Sequence, residues 1–124
     1  MPVIKYTLSQ DRRLRSNDPQ VERAWLARAH ELHYALPTRP RRVQAGDYVY
    51  FIHAGKMKAR AVITRVLPGK SRRTYTHRIR PAAPFDLEVA APMEIAKRYP
   101  NAKGFQGFQY LSASEAARFA RAFI

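Results

Sequence analysis

Polar and apolar positions are patterned most sharply between residues 46 and 66. The run Tyr48-Val49-Tyr50-Phe51-Ile52-His53 and the run Lys56-Met57-Lys58-Ala59-Arg60-Ala61-Val62-Ile63-Thr64-Arg65-Val66 are rich in aromatic and β-branched residues, with Ala54-Gly55 between them. Such residues fit a pleated, half-buried surface, and with Gly46-Asp47 as an opening turn signal they predict an antiparallel hairpin. Successive side chains of a strand point to opposite faces. Lys58, Arg60, Val62 and Thr64 therefore share one side of the second strand, and Ala59, Ala61, Ile63 and Arg65 the other. The first half of that strand offers a basic side and a small apolar side, which suits a barrel strand between a core and a polyanion.

The rest of the chain is read in the same way. Residues 2–9, Pro-Val-Ile-Lys-Tyr-Thr-Leu-Ser, predict a first strand, and Gln10 to Asn17 a polar loop. Asp18-Pro19 supplies an N-cap with proline at the first helical position, and Val21, Trp25, Ala29, Leu32 and Leu36 recur at helical spacing. A helix over 19–35 follows, ended by Pro37-Thr38-Arg39-Pro40. Residues 68–73 form a loop by their turn residues and charge. Thr74 to Arg80 alternates as a half-exposed strand, Phe85 to Ala90 as another, and Pro92 to Tyr99 predicts a short helix. Gly104 to Leu111 leads into a last strand. Ser112-x-x-Glu115 is a capping box before Ala116, Phe119, Ala120 and Phe123 at helical spacing, so the stretch ends in an amphipathic helix.

At 124 residues the length suits one domain with a modest core, residues 1–124 together. Five or six mostly antiparallel strands at this length are too few for a large open sheet covered on both faces. The expectation is an α+β fold, a small β-barrel with flanking helices. No apolar run reaches the length of a membrane-spanning helix. The first residues lack the charged, apolar and small-residue succession of a signal peptide, so a cytoplasmic address is expected by default. Without cysteine there is no disulfide framework, thiolate zinc site or cysteine nucleophile. The four histidines do not form a metal motif, and no cofactor is expected.

Charge changes the picture most. The formal net charge is +14, and between Tyr48 and Phe85 there is no Asp or Glu while Lys56, Lys58, Arg60, Arg65, Lys70, Arg72, Arg73, Arg78 and Arg80 all fall there. Such a field attracts polyanions and speeds their encounter. A solvated face kept for solubility is the plain alternative, but acidic residues serve solubility better, and unbalanced charge costs self-repulsion. Nucleic acid, RNA or DNA, is therefore the expected partner, ahead of an anionic membrane surface or an acidic protein. Arg72 and Arg73 beside Lys70 have no core to serve, and their fork geometry suits phosphate. Arg39, Arg41 and Arg42 form a second such cluster. With Lys58, Arg60 and Arg78, these are the expected contacts to a nucleic-acid backbone.

Gly46-Asp47-Tyr48-Val49-Tyr50-Phe51-Ile52-His53-Ala54-Gly55, followed by Ala61-Val62-Ile63-Thr64-Arg65-Val66, resembles the hairpin of PUA-like proteins, especially their EVE and ASCH branches. A first strand ending in Thr7-Leu8-Ser9, a helix carrying Trp25, and the late Phe108-Gln109-Tyr110-Leu111-Ser112 with Glu115 agree in order. Departures are Ile52 in place of an aromatic before the histidine, Gln10-Asp11-Arg12 in place of an acidic-proline pair, and Leu26-Ala27-Arg28 after the tryptophan. These mark a divergent member. The resemblance implies a pseudobarrel that binds RNA or DNA, in several branches by taking a flipped or modified base between barrel and helix. An extruded base needs a face to stack on and polar groups for its Watson–Crick edge. By resemblance Ser9, Trp25 and His53 line such a pocket, with Tyr50 and Lys56 added as neighbours. Each has a plainer role open to it: Trp25 and Tyr50 in packing, His53 in holding a turn.

Two enzymatic alternatives remain. ASCH-like hydrolases of acylated cytidine use a lysine, a hydroxyl residue and a glutamate. Here Lys56 or Lys58, Thr7 or Thr64, and Glu22, Glu31 or Glu88 are the residues available. A small basic ribonuclease or toxin built on His and Arg is the other, and no motif speaks for it. No catalytic residue is assigned.

Overall fold

The computed structural model describes residues 4–7, 19–31, 33–36, 39–69, 74–75, 78–79, 85–103 and 108–124. Of Thr7, Pro19, Val21, Glu22, Trp25, His33, Ala35, Thr74, Tyr75, Arg78 and Ile79 it describes the backbone alone. The elements run β1 (Ile4–Thr7), α1 (Pro19–Ala27), a 3-10 turn (Ala29–Glu31), β2 (His33–Leu36), β3 (Tyr48–His53), β4 (Lys56–Pro68) and β5 (Thr74–Tyr75). There follow β6 (Arg78–Ile79), β7 (Phe85–Val89), β8 (Glu94–Ile95), β9 (Phe108–Tyr110), α2 (Ala113–Ala120) and a final 3-10 turn (Arg121–Phe123).

The expected hairpin is the centre of the sheet. Ala54 and Gly55 both take positive φ, 53° and 75°, the two-residue geometry whose twist matches that of the flanking strands. β4 is 13 residues long and pairs with β3 along one edge; along the other it pairs first with β8 and then with β7. The strand order is β2-β7-β4-β3-β1-β9, with β8 off this path beside β4. Only the β1–β3 pairing is parallel within it.

Two bulges bend β4. Phe51 pairs with Ala59 and Ile52 with Met57, which leaves Lys58 as the extra residue. Ile63 pairs with Val89 and Arg65 with Glu88, which leaves Thr64 as the second. A bulge bends its strand and increases the local twist. The sheet curls accordingly. Tyr6 of β1 and Tyr34 of β2 are separated by three strands in the sheet order, yet their ring centroids lie 5.5 Å apart, and Tyr34 meets Phe51 at 4.7 Å. Among the described residues the path is open, with β2 and β9 at its ends.

Each face of the sheet carries a core. Inside the curl, Ile4, Val49, Phe51, Ala59, Ala61, Ile63 and Leu87 are buried with Leu26 of α1 and Ala29 after it. On the other face, Tyr50, Ile52 and Met57 are buried against Ala96, Ala102, Phe119 and Ala122. The alternation along β3 thus serves two cores at once, Val49 and Phe51 facing α1, Tyr50 and Ile52 facing α2.

Three expected elements differ. The helix over 19–35 stops at Ala27, and His33–Leu36 is a strand paired with β7. Leu36 fits helical spacing, but a buried strand also places an apolar residue there; Leu32 lies outside the described residues. Tyr34 and Leu36 are buried, and the Tyr34 hydroxyl donates to the Ala29 carbonyl at 2.6 Å. The helix over 92–99 is replaced by β8, because β4 offers its backbone: Arg60 pairs with Glu94, Ala59 with Ile95, and the Ala96 N–H donates to the Lys58 carbonyl at 2.9 Å. The strand over 74–80 is two short strands, β5 and β6, paired with each other.

The capping box is present at α2. The Ser112 hydroxyl accepts the Glu115 N–H at 3.2 Å. The Glu115 carboxylate accepts from Lys5 Nζ of β1 at 2.8 Å, with the Lys5 side chain almost wholly buried. That hydrogen bond, helped by the charges of Lys5 and Arg118 and by the Ser112 N–H, outweighs partial burial and holds Glu115 below the ordinary glutamate range. A depressed folded-state value means the contribution is full above the unfolded value and is lost as pH falls through the folded one. Glu115→Gln is therefore expected to lower stability at neutral pH by about 1 kcal/mol, the net worth of a half-exposed hydrogen bond. The difference from the unmodified protein should narrow as pH falls below the ordinary glutamate value of about 4.3 and vanish only in acid below the depressed folded value, where the carboxyl is protonated in both states. Urea unfolding at the two pH values checks this; an equal difference at both would refute it.

Candidate nucleic-acid interface

Cations gather at the two ends of β3. Before it, Arg39, Arg41 and Arg42 lie exposed on the segment leading into the strand. The Arg42 N–H donates to the Tyr110 hydroxyl at 3.1 Å, and its guanidinium stands 4.2 Å over the Tyr110 ring. This places Arg42 beside β9, roughly 20 Å from the hairpin turn by the rise of the strand.

At the turn, three segments meet. Met57 N–H donates to the Pro100 carbonyl at 2.9 Å, Ala102 N–H to the Gly55 carbonyl at 2.9 Å, and Lys97 N–H to the Ala122 carbonyl at 2.8 Å. Arg118 of α2 donates to the Asn101 carbonyl at 2.7 Å. Residues 95–103 are thereby strapped across the hairpin tip, and the end of α2 is docked on the strap. Lys56, Lys97, Arg98, Lys103, Arg118 and Arg121 are all exposed there. The three segments 56–69, 95–103 and 116–124 contain no acidic residue. Of the nearest acids, Glu94 pairs with Arg60 and Glu115 with Lys5.

Two expected backbone contacts are engaged within the fold. Lys58, the first bulge residue, is buried with its ammonium 4.2 Å over the Tyr99 ring. Arg60 binds Glu94 and lies 4.7 Å over the Tyr48 ring and 4.2 Å over the Phe123 ring. Burial pulls the Arg60 pKa down, but the hydrogen bonds and charges of Glu94 and Tyr50 outweigh it and raise it. Arg60 thereby packs against Phe123 at the edge of the outer core, and Lys58 against Tyr99 within residues 95–103. Lys70, Arg72 and Arg73 lie outside the described residues, and of Arg78 only the backbone, in β6, is described.

The base-pocket residues divide between the faces. Ser9 lies outside the described residues; Trp25 sits on α1 with its side chain outside them. His53 is buried at the end of β3, and by alternation shares the α1 side with Val49 and Phe51. Lys56, its cross-strand partner, is exposed at the tip. Tyr50 is on the opposite face, its ring edge-on to Phe119 at 5.5 Å. The half-buried Tyr6 does share the inner face, edge-on to Phe51 at 6.4 Å.

Of the hydrolase set, Thr64 and Glu88 meet: the Thr64 hydroxyl lies 3.1 Å from the Glu88 carbonyl and 3.3 Å from its carboxylate, which Arg65 also holds at 3.1 Å. Lys58 lies six residues back along β4, about 20 Å away. Among the described residues no three His, Asp or Glu side chains form a metal-binding group, and no helix is long and apolar enough to cross a membrane.

Sequence reasoning missed Lys97, Arg98, Tyr99, Lys103, Arg118 and Arg121. No local signal joins them, because the cluster exists only once the strap crosses the hairpin tip. Searches among protein families, curated proteins and solved structures find no match for the chain.

Proposed function

We propose that this protein is a nucleic-acid-binding module, a divergent PUA-like barrel that contacts phosphates with its exposed cations and takes a flipped or modified base on the α1 side of the sheet. The observation that carries the reading is the uncompensated group of exposed cations at the hairpin tip, on a chain of net charge +14. Phosphate neutralisation supplies most sequence-independent affinity. The curl that brings Tyr6 to Tyr34 supports the barrel, and Tyr6 on the α1 side, with His53 assigned to the same side by strand alternation, supports the base site.

Trp25 is the single tryptophan, so its fluorescence reports on α1 directly. Titration with methylated and acylated nucleosides should change that fluorescence, while a labelled oligonucleotide should bind at low salt. No response to any nucleoside, with oligonucleotide binding intact, would remove the base site; no oligonucleotide binding would remove the function.

A further inference from the structure

Tyr99 is the apex of the strap and keeps 38% of its surface in solvent. Its aromatic face is not idle: the Lys58 ammonium stands 4.2 Å from the ring centroid. Lys58 is the residue the bulge leaves without a partner on β3, and the attraction of its cation to the ring face holds the ring in place. Around this fixed, partly exposed ring lie Lys97 and Arg98 on the preceding positions, Lys103 at the strap's end, Lys56 across the Lys56–Asn101 bridge, and Arg118 donating to Asn101.

An aromatic platform ringed by cations is what a single strand requires. Its unpaired bases each offer a π-face, and the cations track its phosphates, whereas the bases of a duplex are already stacked on one another. We infer that the hairpin tip is a contact site for single-stranded nucleic acid, in which Tyr99 stacks a base and Lys56, Lys97, Arg98, Lys103 and Arg118 hold the adjoining phosphates. The site rests on the nucleic-acid reading above but is separate from the base site on the α1 side. A membrane surface would use the same cations but has no need of a presented ring.

The test is fluorescence anisotropy with a labelled oligouridylate and a duplex of equal length. Tyr99→Ala should weaken single-strand binding about 5- to 150-fold, the range of one lost base–aromatic stack, with the salt slope unchanged. Tyr99→Phe should bind as the unmodified protein does, and Tyr99→Leu, which keeps an apolar cover over the Lys58 stem, should lose as Tyr99→Ala does. Duplex affinity should not follow these changes. Replacing Lys97, Arg98 and Lys103 by Gln should lower the single-strand salt slope by about 2. Single-strand binding unaltered in Tyr99→Leu, equal losses for duplex and single strand, or tighter binding to phosphatidylserine vesicles at the same salt would each overturn the site. Unmodified protein that binds neither oligonucleotide would overturn the proposed function itself.

Discussion

Phe119→Ala lowers the stability of the domain by about 3–5 kcal/mol, the cost of truncating a fully buried aromatic, against a total of roughly 5–15. Phe119 is completely buried and is the large side chain through which α2 enters the outer core, edge-on to Tyr50. The helix spans eight residues, too few to hold itself in water, so docking keeps it formed. The loss reaches the proposed interface as well, because the strap takes the Arg118–Asn101 bond from the same helix and the Lys97–Ala122 bond from the 3-10 turn that continues it. Phe119→Leu fills part of the void and should lose markedly less. Urea unfolding of the three proteins measures both, and a midpoint for Phe119→Ala equal to that of the unmodified protein would mean that α2 does not carry this load.

Raising salt from 50 to 200 mM weakens single-strand binding about 300-fold if all six exposed cations at the tip meet phosphates. Each neutralised phosphate contributes about −0.7 to the slope of log affinity against log salt for a single strand, which gives a slope near −4. Stacking releases no counterion, so Tyr99→Ala shifts the whole line without tilting it. Affinity that is flat over this range would exclude the tip cations as the contact. A slope removed by changing Arg39, Arg41 and Arg42 instead would place the phosphates at the other end of β3.

The hairpin was legible because three independent signals agree: aromatic and β-branched runs, a two-residue turn ending in glycine, and a hydroxyl- and charge-bearing side opposite an apolar one. The capping box at Ser112 was legible for the same kind of reason, since the helix start depends on residues three apart. Residues 33–36 and 94–95 misled where spacing favours a helix and a neighbouring strand wins. Tyr34 and Leu36 gain a buried place beside β7, and Glu94 and Ile95 gain the free edge of β4. The interface was half legible. That cations crowd this chain is plain from composition, but which of them remain free is decided by contacts between distant segments. Lys58 and Arg60 look like phosphate ligands in one dimension and turn out to be held by Tyr99, Glu94, Tyr48 and Phe123. Lys97 and Arg98 look like an ordinary helix surface and turn out to sit beside the turn.

The pairing of β1 also sets an order of assembly. β1 is made before its partners: Ile4 pairs with Val49 and with Tyr110, and Lys5 meets Glu115 across 110 residues of chain. The β3–β4 hairpin closes through two residues and can form as soon as it emerges, so it is the natural nucleus. Among the described residues β1 has no strand neighbour until β3 exists, and its second edge stays open until β9 is made. During that interval Ile4 and Tyr6 are apolar groups on an unpaired strand, the condition under which chains associate with one another. The high positive charge that draws polyanions to the finished protein also keeps such unfinished chains apart.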